Sequence, residues 1–232
     1  MKAVNINTGI GTLTRAFRTR GGEIVWAQEA SDIAAQIYQY NFPDLPFYKG
    51  EIQETDISKI PEFDLLLASL RAPRSSIVQS RQPKMNKYTE IQKHETEYLE
   101  NIIIYHKPKA VCFTLPVNCS IMNREIIEML RRQRYFYSYK VMDGEQFGGV
   151  PFKGRKIYVV GFTDNYKFNI FRFPSITSKF LGISQLLDRS LKKEDVYYRL
   201  PEKYAKLLSN IALKGDEIYQ VVYHYTQDHN KL

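Results

Sequence analysis

The sequence is organised around the segment from Phe63 to Ser76, which reads Phe-Asp-Leu-Leu-Leu-Ala-Ser-Leu-Arg-Ala-Pro-Arg-Ser-Ser. Within it, Asp64–Ala68 is a short apolar run without alternation, which predicts a strand buried on both faces of a sheet. In an open α/β sheet, chemistry takes place just past the carboxyl ends of the strands, so a nucleophile would be expected between Ser69 and Ser76. The residues from Ser69 to Ser76 are three serines, two arginines, a leucine, an alanine and a proline, with no base beside a serine.

Strand and helix patterns alternate along most of the chain. The last two strand candidates, Phe136–Val141 and Lys156–Phe162, flank a glycine turn and predict an antiparallel pair. The sequence therefore predicts an α/β fold with a doubly wound, mostly parallel sheet and an antiparallel closing hairpin. The pattern loosens after Thr163, so we predict an α/β domain over residues 1–165 and a C-terminal extension over residues 166–232.

The composition indicates a basic protein without a membrane segment. Lys and Arg together number 33 and Asp and Glu 25, a formal net charge of +8. This excess of positive charge favours anionic partners, of which nucleic acid is the leading candidate. The alternative is a soluble basic protein without such a partner. No apolar run approaches the roughly 18 residues of a membrane span, and Met1–Gly11 does not read as a signal peptide. We expect a cytoplasmic protein with no membrane partner and no metal.

A glycine turn lies between the first predicted strand, Met1–Ile6, and the first predicted helix, Leu13–Arg18. Gly9 and Gly11 form this turn, where glycines allow a ligand to approach the backbone near a helix N-terminus. Glu29 ends the second strand about 20 residues later, at the place where an acid can hold ribose hydroxyls. Together these features predict a nucleoside-type site. An ordinary turn and a solvated glutamate are the alternative.

The segment after the central strand is strongly basic. Residues 71–93 carry six basic side chains and one acid, Glu90, which predicts a long loop rather than a packed element. A basic loop over a strand end suits a nucleic-acid phosphate backbone, although a plain solvated loop competes with this interpretation. The predicted DNA-binding residues are Arg71, Arg74, Arg81, Lys84, Arg155 and Lys156.

The order of these segments resembles the DNA (cytosine-5)-methyltransferases from about Val4 to Ile211. Six segments match the family's motifs in order: Asn5–Thr12, Val25–Glu29, Gly50–Ile52, Phe63–Ala68, Lys107–Ala110 and Phe147–Gly161. The resemblance implies a Rossmann-like, S-adenosylmethionine-dependent methyltransferase fold. The cofactor contacts that it implies are Gly9, Ile10, Gly11, Glu29, Glu51 and Ile52.

The chain departs from the family at the catalytic positions. In the family, a cysteine in Gly-Phe-Pro-Cys-Gln attacks C6 of a flipped cytosine and so activates C5 toward methyl transfer. Here Ala72 stands at the cysteine position, and Thr114 stands at that of the glutamate that contacts the cytosine ring. Neither cysteine replaces the nucleophile, because Cys112 precedes the Thr114 position inside a predicted strand and Cys119 has no base at a recognisable spacing. The sequence therefore predicts a degenerate member that does not methylate cytosine, with Lys156 as a conservative match to the last arginine of the Gln-x-Arg-x-Arg segment.

The cofactor positions are also partly changed. Asn5 replaces an acid, and Asn7 replaces a phenylalanine that packs on adenine in the family, so S-adenosylmethionine binding is expected to be weak or lost. The family's target-recognition domain and final Gly-Asn-Ser motif are not visible in the sequence, and we expect such parts either to come from a partner chain or to be dispensed with.

Three functions fit these observations. The first is an inactive homologue that serves as a non-catalytic subunit of a methylation or restriction-modification system. The second is a stand-alone, non-specific DNA-binding module, and the first two can both hold. The third is an S-adenosylmethionine-dependent methyltransferase of altered chemistry.

Overall fold

A computed structural model of the chain describes residues 1–70, 85–117, 119–150 and 154–177. The strands in this part are β1 (Lys2–Ile6), β2 (Glu23–Glu29), β3 (Phe47–Lys49), β4 (Leu65–Ser69), β5 (Ala110–Pro116), β6 (Phe136–Met142) and β7 (Lys156–Phe162). The helices are α1 (Thr12–Thr19), α2 (Asp32–Asn41), α3 (Met85–His106), α4 (Ser120–Arg132), α5 (Gly144–Gly148) and α6 (Asn165–Ile170). Two single-turn 3-10 helices, Ile52–Glu54 and Ile57–Lys59, join β3 to β4.

The strands of the described part form one sheet in the order β3-β2-β1-β4-β5-β7-β6. Strands β1 to β5 pair in parallel, while β7 runs antiparallel to both β5 and β6. The predicted α/β fold with an antiparallel closing hairpin is confirmed, with Phe136 opposite Phe162 in the hairpin. Because β7 runs antiparallel to β5, with Lys156 opposite Pro116, its first residues lie at the same edge of the sheet as the carboxyl ends of the parallel strands.

Strand β4 is buried from both sides because helices cover both faces of the sheet. Leu66 and Ala68 pack into a core with apolar residues of α3 and α4. Leu65 and Leu67 point into a second core with residues of α1 and α2. A central strand with two covered faces needs apolar residues at every position, which explains the unalternating run in the sequence.

One sequence prediction is wrong for part of its range. The stretch 71–93 was expected to be a loop, but α3 begins at Met85, and residues 71–84 lie outside the described part. Five of residues 85–93 are Met, Lys, Gln or Glu, which are good helix formers, so helix propensity outweighs the polar, basic character of the segment.

Two short helices were not predicted, and each is capped by an aspartate. Asp143 accepts hydrogen bonds from the backbone N–H groups of the first turn of α5, and Asp164 does the same for α6. Such caps stabilise helices too short to show an apolar period.

Within the described residues, no helix is both long and apolar enough to cross a membrane. Most of the predicted C-terminal extension, residues 166–232, lies outside the described residues, which end at 177.

Candidate functional site

The carboxyl ends of β1, β2, β4 and β5 open into a cavity of about 440 Å³. This position is the one expected for ligands in a doubly wound sheet, since β1 and β4 are neighbours whose connections run in opposite directions. The residues that line the cavity are Asn7, Gly9, Glu29, Ser31, Ser69, Leu70, Thr114, Leu115, Pro116 and Lys156.

Glu29 ties the glycine turn to the start of α2. One carboxylate oxygen, Oε2, accepts a hydrogen bond from Gly9 N–H at 2.8 Å, and Oε1 accepts one from Ser31 N–H at 2.8 Å. The residue is only 3% exposed, so the carboxylate is fixed by the backbone rather than solvated. A carboxylate oxygen can accept more than one hydrogen bond, so this geometry is compatible with ligand hydroxyls beside Gly9.

Gly11 closes the other end of the turn. Its N–H bonds to the carbonyl of Thr8 at 3.1 Å, and its φ of +95° is in the left-handed region that favours glycine. A Cβ built on Gly11 would lie 2.2 Å from the Phe42 ring, so this glycine also lets α1 start directly against α2. Gly9, Gly11 and Glu29, predicted from their spacing, are thus brought together by the fold.

Four of the six predicted cofactor positions do not line the cavity, namely Ile10, Gly11, Glu51 and Ile52. Ile10 is 53% exposed, and Glu51 is exposed at the end of β3. Ile52 is buried in the core that includes α3 and α4. The end of β3 is nevertheless linked to the site, because Gln28 Nε2 donates to the carbonyl of Gly50 at 2.6 Å.

Sequence reasoning did not identify the polar residues that hold Asn7. Gln28 Oε1 accepts the Asn7 N–H at 3.1 Å, which supports the φ of +50° at Asn7. Asn7 Nδ2 donates to Glu95 Oε1 of α3 at 3.5 Å, and both side chains are buried. Glu95 is 88 residues away in sequence and inside a helical pattern, so nothing local indicates this contact.

Asn5, at the position of the family's acid, points away from the cavity into the helix layer. Its Nδ2 donates to Thr14 Oγ1 at 2.9 Å, and that hydroxyl lies 3.0 Å from the Tyr38 hydroxyl. Asn5 is fully buried and is not among the cavity-lining residues. In this structure Asn5 therefore joins β1 to α1 and α2.

The β4 and β5 end of the cavity presents hydroxyls. Ser69 pairs with Thr114 in the strand register, and Thr114 Oγ1 donates to Ser69 Oγ at 3.0 Å. Leu70, Leu115 and Pro116 form an apolar wall beside them. Among the described residues that line the cavity, Glu29 is the one carboxylate, and it lies at the β2 end. Ala72 falls outside the described part.

Neither cysteine is a described lining residue. Cys112 packs against the core formed with α1 and α2, and burial raises the pKa of its thiol to about 11, so the thiolate is scarce at neutral pH. Cys119 is buried just before α4.

The predicted DNA-binding residues separate into two groups. Lys156 lines the cavity at the start of β7, and Arg155 is exposed beside it. Both lie at the edge of the sheet where the cavity opens. Arg71, Arg74, Arg81 and Lys84 lie outside the described residues. In the part of the chain that is described, no three His, Cys, Asp or Glu side chains cluster as metal ligands would.

The sheet order, the helices on both faces and the cavity beside a glycine turn and an acid define a Rossmann-like fold of the S-adenosylmethionine-dependent methyltransferases. Solved structures support this class. A mutant of Spodoptera frugiperda DNMT2 superposes with a TM-score of 0.68 at 18% identity, covering 91% of this chain and 66% of that one. The Entamoeba histolytica methyltransferase EhMeth gives a TM-score of 0.67 at 19% identity, covering 88% of this chain and 63% of that one.

The family follows from the sequence comparison. The family model for C-5 cytosine-specific DNA methylase matches residues 1–231, so the chain belongs to that family, whose members use S-adenosylmethionine. The chain is 26% identical over 231 residues to the Type II methyltransferase M.Bsp6I of Bacillus sp. (strain RFL6), which covers 95% of this chain and 71% of that protein. It is 28% identical over 202 residues to the Type II methyltransferase M.NgoBI of Neisseria gonorrhoeae, covering 85% of this chain and 61% of that protein.

Proposed function

We propose that this chain is a non-catalytic C5-methyltransferase homologue that binds DNA as a subunit of a methylation or restriction-modification system. The observation that carries the proposal is the Ser69–Thr114 hydroxyl pair at the β4 and β5 end of the cavity. The family's reaction needs a thiolate nucleophile and an acid that contacts the cytosine ring. Here a threonine replaces the acid, and the sequence has Ala72 at the thiol position.

No other described group supplies the missing chemistry. The Cys112 thiol has a raised pKa and packs against the core, and the Glu29 carboxylate is held by two backbone N–H groups at the opposite end of the cavity. A hydroxyl pair without an adjacent base has no means of forming an activated nucleophile. The loss of two interdependent catalytic groups therefore removes the reaction rather than slowing it.

The expected result is that the purified chain transfers no methyl group to DNA. The measurement is incorporation of tritium from methyl-labelled S-adenosylmethionine into unmethylated DNA of mixed sequence, with M.Bsp6I as the positive control. Incorporation above a protein-free blank, located at cytosine C5, would refute the proposal. The same reaction with heat-denatured chain controls for non-enzymatic methylation.

S-adenosylmethionine binding is proposed to be weak. Asn7, held by Gln28 and Glu95, presents a polar amide in the cavity wall where the family has a ring, and ring packing contributes about 1 kcal/mol beyond burial. The intact arrangement of Gly9 and Glu29 favours the second candidate, a methyltransferase of altered chemistry. Calorimetric titration with S-adenosylmethionine distinguishes the non-catalytic homologue from the methyltransferase of altered chemistry. Only the methyltransferase requires clear cofactor binding and methyl transfer to some acceptor.

DNA binding is proposed to use the basic residues at the cavity edge of the sheet, with Arg155 contacting phosphate. Replacing Arg155 with Gln should weaken binding to all duplexes similarly and reduce the slope of log K against log salt by about 0.9. Arg134→Gln is the matched control, because Arg134 is also exposed but precedes β6, at the opposite edge of the sheet. Fluorescence anisotropy over a salt series measures both slopes. Equal slopes for the two variants would contradict the proposed contact.

Co-purification tests the proposal that the chain is a subunit of a methylation or restriction-modification system. The tagged chain, expressed at native level in its own cells, should co-purify at fixed stoichiometry with a chain that methylates DNA cytosine. Recovery as a monodisperse monomer without methyltransferase activity would argue for a stand-alone DNA-binding module.

A further inference from the structure

The β4, β5 and β7 end of the cavity is a cluster of hydrogen-bond donors. Because Thr114 Oγ1 donates to Ser69 Oγ at 3.0 Å, the Ser69 hydroxyl proton is left to donate elsewhere. Lys156 adds an ammonium group, which has no acidic partner among the described residues. This end of the cavity therefore favours an anionic group that accepts hydrogen bonds.

The opposite end of the cavity has the reverse character. Glu29 supplies carboxylate oxygens beside Gly9, and an anionic acceptor of this kind binds ligand hydroxyls. Between the two ends lies the apolar wall of Leu70, Leu115 and Pro116. The cavity of about 440 Å³ is within the usual range of roughly 300–1,000 Å³ for sites that bind small molecules.

We propose that this cavity binds a free nucleotide, with its sugar hydroxyls at Glu29, its base against the apolar wall and its phosphate at Ser69 and Lys156. A nucleotide carries three groups that complement the cavity: sugar hydroxyls for the Glu29 carboxylate, a flat base for the apolar wall and a phosphate anion for the donors at Ser69 and Lys156. The inference goes beyond the proposed DNA-binding role and does not depend on methyl transfer. It also assigns Lys156 to a small-molecule site rather than to the DNA backbone.

The test compares ligands that differ by one group. Adenosine and cytidine, their 5′-monophosphates and ribose 5-phosphate are titrated calorimetrically into the full-length chain. Each monophosphate should bind about tenfold more tightly than its nucleoside, since hydrogen bonds to a charged group are worth more than neutral ones. Ribose 5-phosphate should bind more weakly than either monophosphate because it leaves the apolar wall uncovered.

Variants of the chain identify the side chains that produce the preference for a monophosphate over its nucleoside. Lys156→Gln should remove most of the preference for the monophosphate while leaving nucleoside affinity unchanged, and Ser69→Ala should reduce the preference severalfold. Arg155→Gln is the control, because Arg155 carries the same charge one residue away but does not line the cavity. It should weaken DNA binding and retain the nucleotide preference. Thermal unfolding of each variant verifies that the fold is intact.

Several outcomes would overturn the proposal. Nucleoside and monophosphate could bind equally to the wild type, or neither could bind at millimolar concentration. Arg155→Gln could abolish the preference as fully as Lys156→Gln, which would indicate a general surface charge effect. Finally, Lys156→Gln could weaken DNA binding with the nucleotide preference intact, which would return Lys156 to the DNA interface. The methylation assay is independent of all four results, so failure here leaves the proposed function standing.

Discussion

Replacing Gly11 with alanine should destabilise the protein by about 3 kcal/mol, from two separate causes. The left-handed φ of +95° costs an alanine about 1–2 kcal/mol. The new methyl group would also lie 2.2 Å from Cε2 of Phe42 and 3.1 Å from Cδ2 of Tyr38. Phe42 and Tyr38 are buried with ring centroids 5.0 Å apart, so the ring cannot move without disturbing the core, and such overpacking typically costs about 1–3 kcal/mol.

Gly21→Ala is the matched control for the backbone cost alone. Gly21 has a φ of +78°, and a Cβ built there meets nothing within 4 Å, so this variant should lose only about 1 kcal/mol. Urea denaturation followed by circular dichroism measures both free energies of unfolding. Placing Gly11→Ala in a Phe42→Leu background should reduce its cost toward that of Gly21→Ala. Equal costs for the two single variants would show that the Phe42 ring does not oppose a side chain at position 11.

The fold could be predicted because its signals are local. The apolar run of β4 and the glycine turn after β1 each specify one element, and the alternation of elements leaves few topologies for the sheet. The start of α3 at Met85 was missed because a polar, basic composition suits both a loop and a solvated helix. The insertion of β7 between β5 and β6 is a long-range pairing that no local pattern specifies.

The candidate site could be predicted only in part, for the same physical reason. Gly9 and Glu29 follow from strand ends and a spacing of about 20 residues. Gln28 and Glu95 could not be identified as site residues from local patterns. Each takes part in the site through a hydrogen bond to Asn7, Gln28 from the neighbouring strand β2 and Glu95 from α3. Lys156 was predicted as a DNA contact from its charge, but only the sheet topology shows that it lines the same cavity as Glu29.

Replacing Glu29 with glutamine should cost about 2–3 kcal/mol of stability, although the two side chains have nearly the same shape. The carboxylate accepts two backbone hydrogen bonds, from Gly9 and Ser31, each at 2.8 Å. A glutamine oxygen can keep one of them, but its NH₂ group then faces the other N–H, which is left unsatisfied in a buried position. A buried donor without a partner costs about 1–3 kcal/mol, and the remaining bond is no longer charge-assisted.

The appropriate control is Glu23→Gln, at the exposed opposite end of the same strand, which should change stability by less than about 0.5 kcal/mol. Hydrogen exchange adds a local readout: Glu29→Gln should accelerate exchange at the Gly9 and Ser31 amides more than at core amides of β4. If Glu29→Gln and Glu23→Gln lost the same stability, those two amides would have to be satisfied without the carboxylate. Variants of Glu29 should then affect nucleotide affinity without affecting the glycine turn.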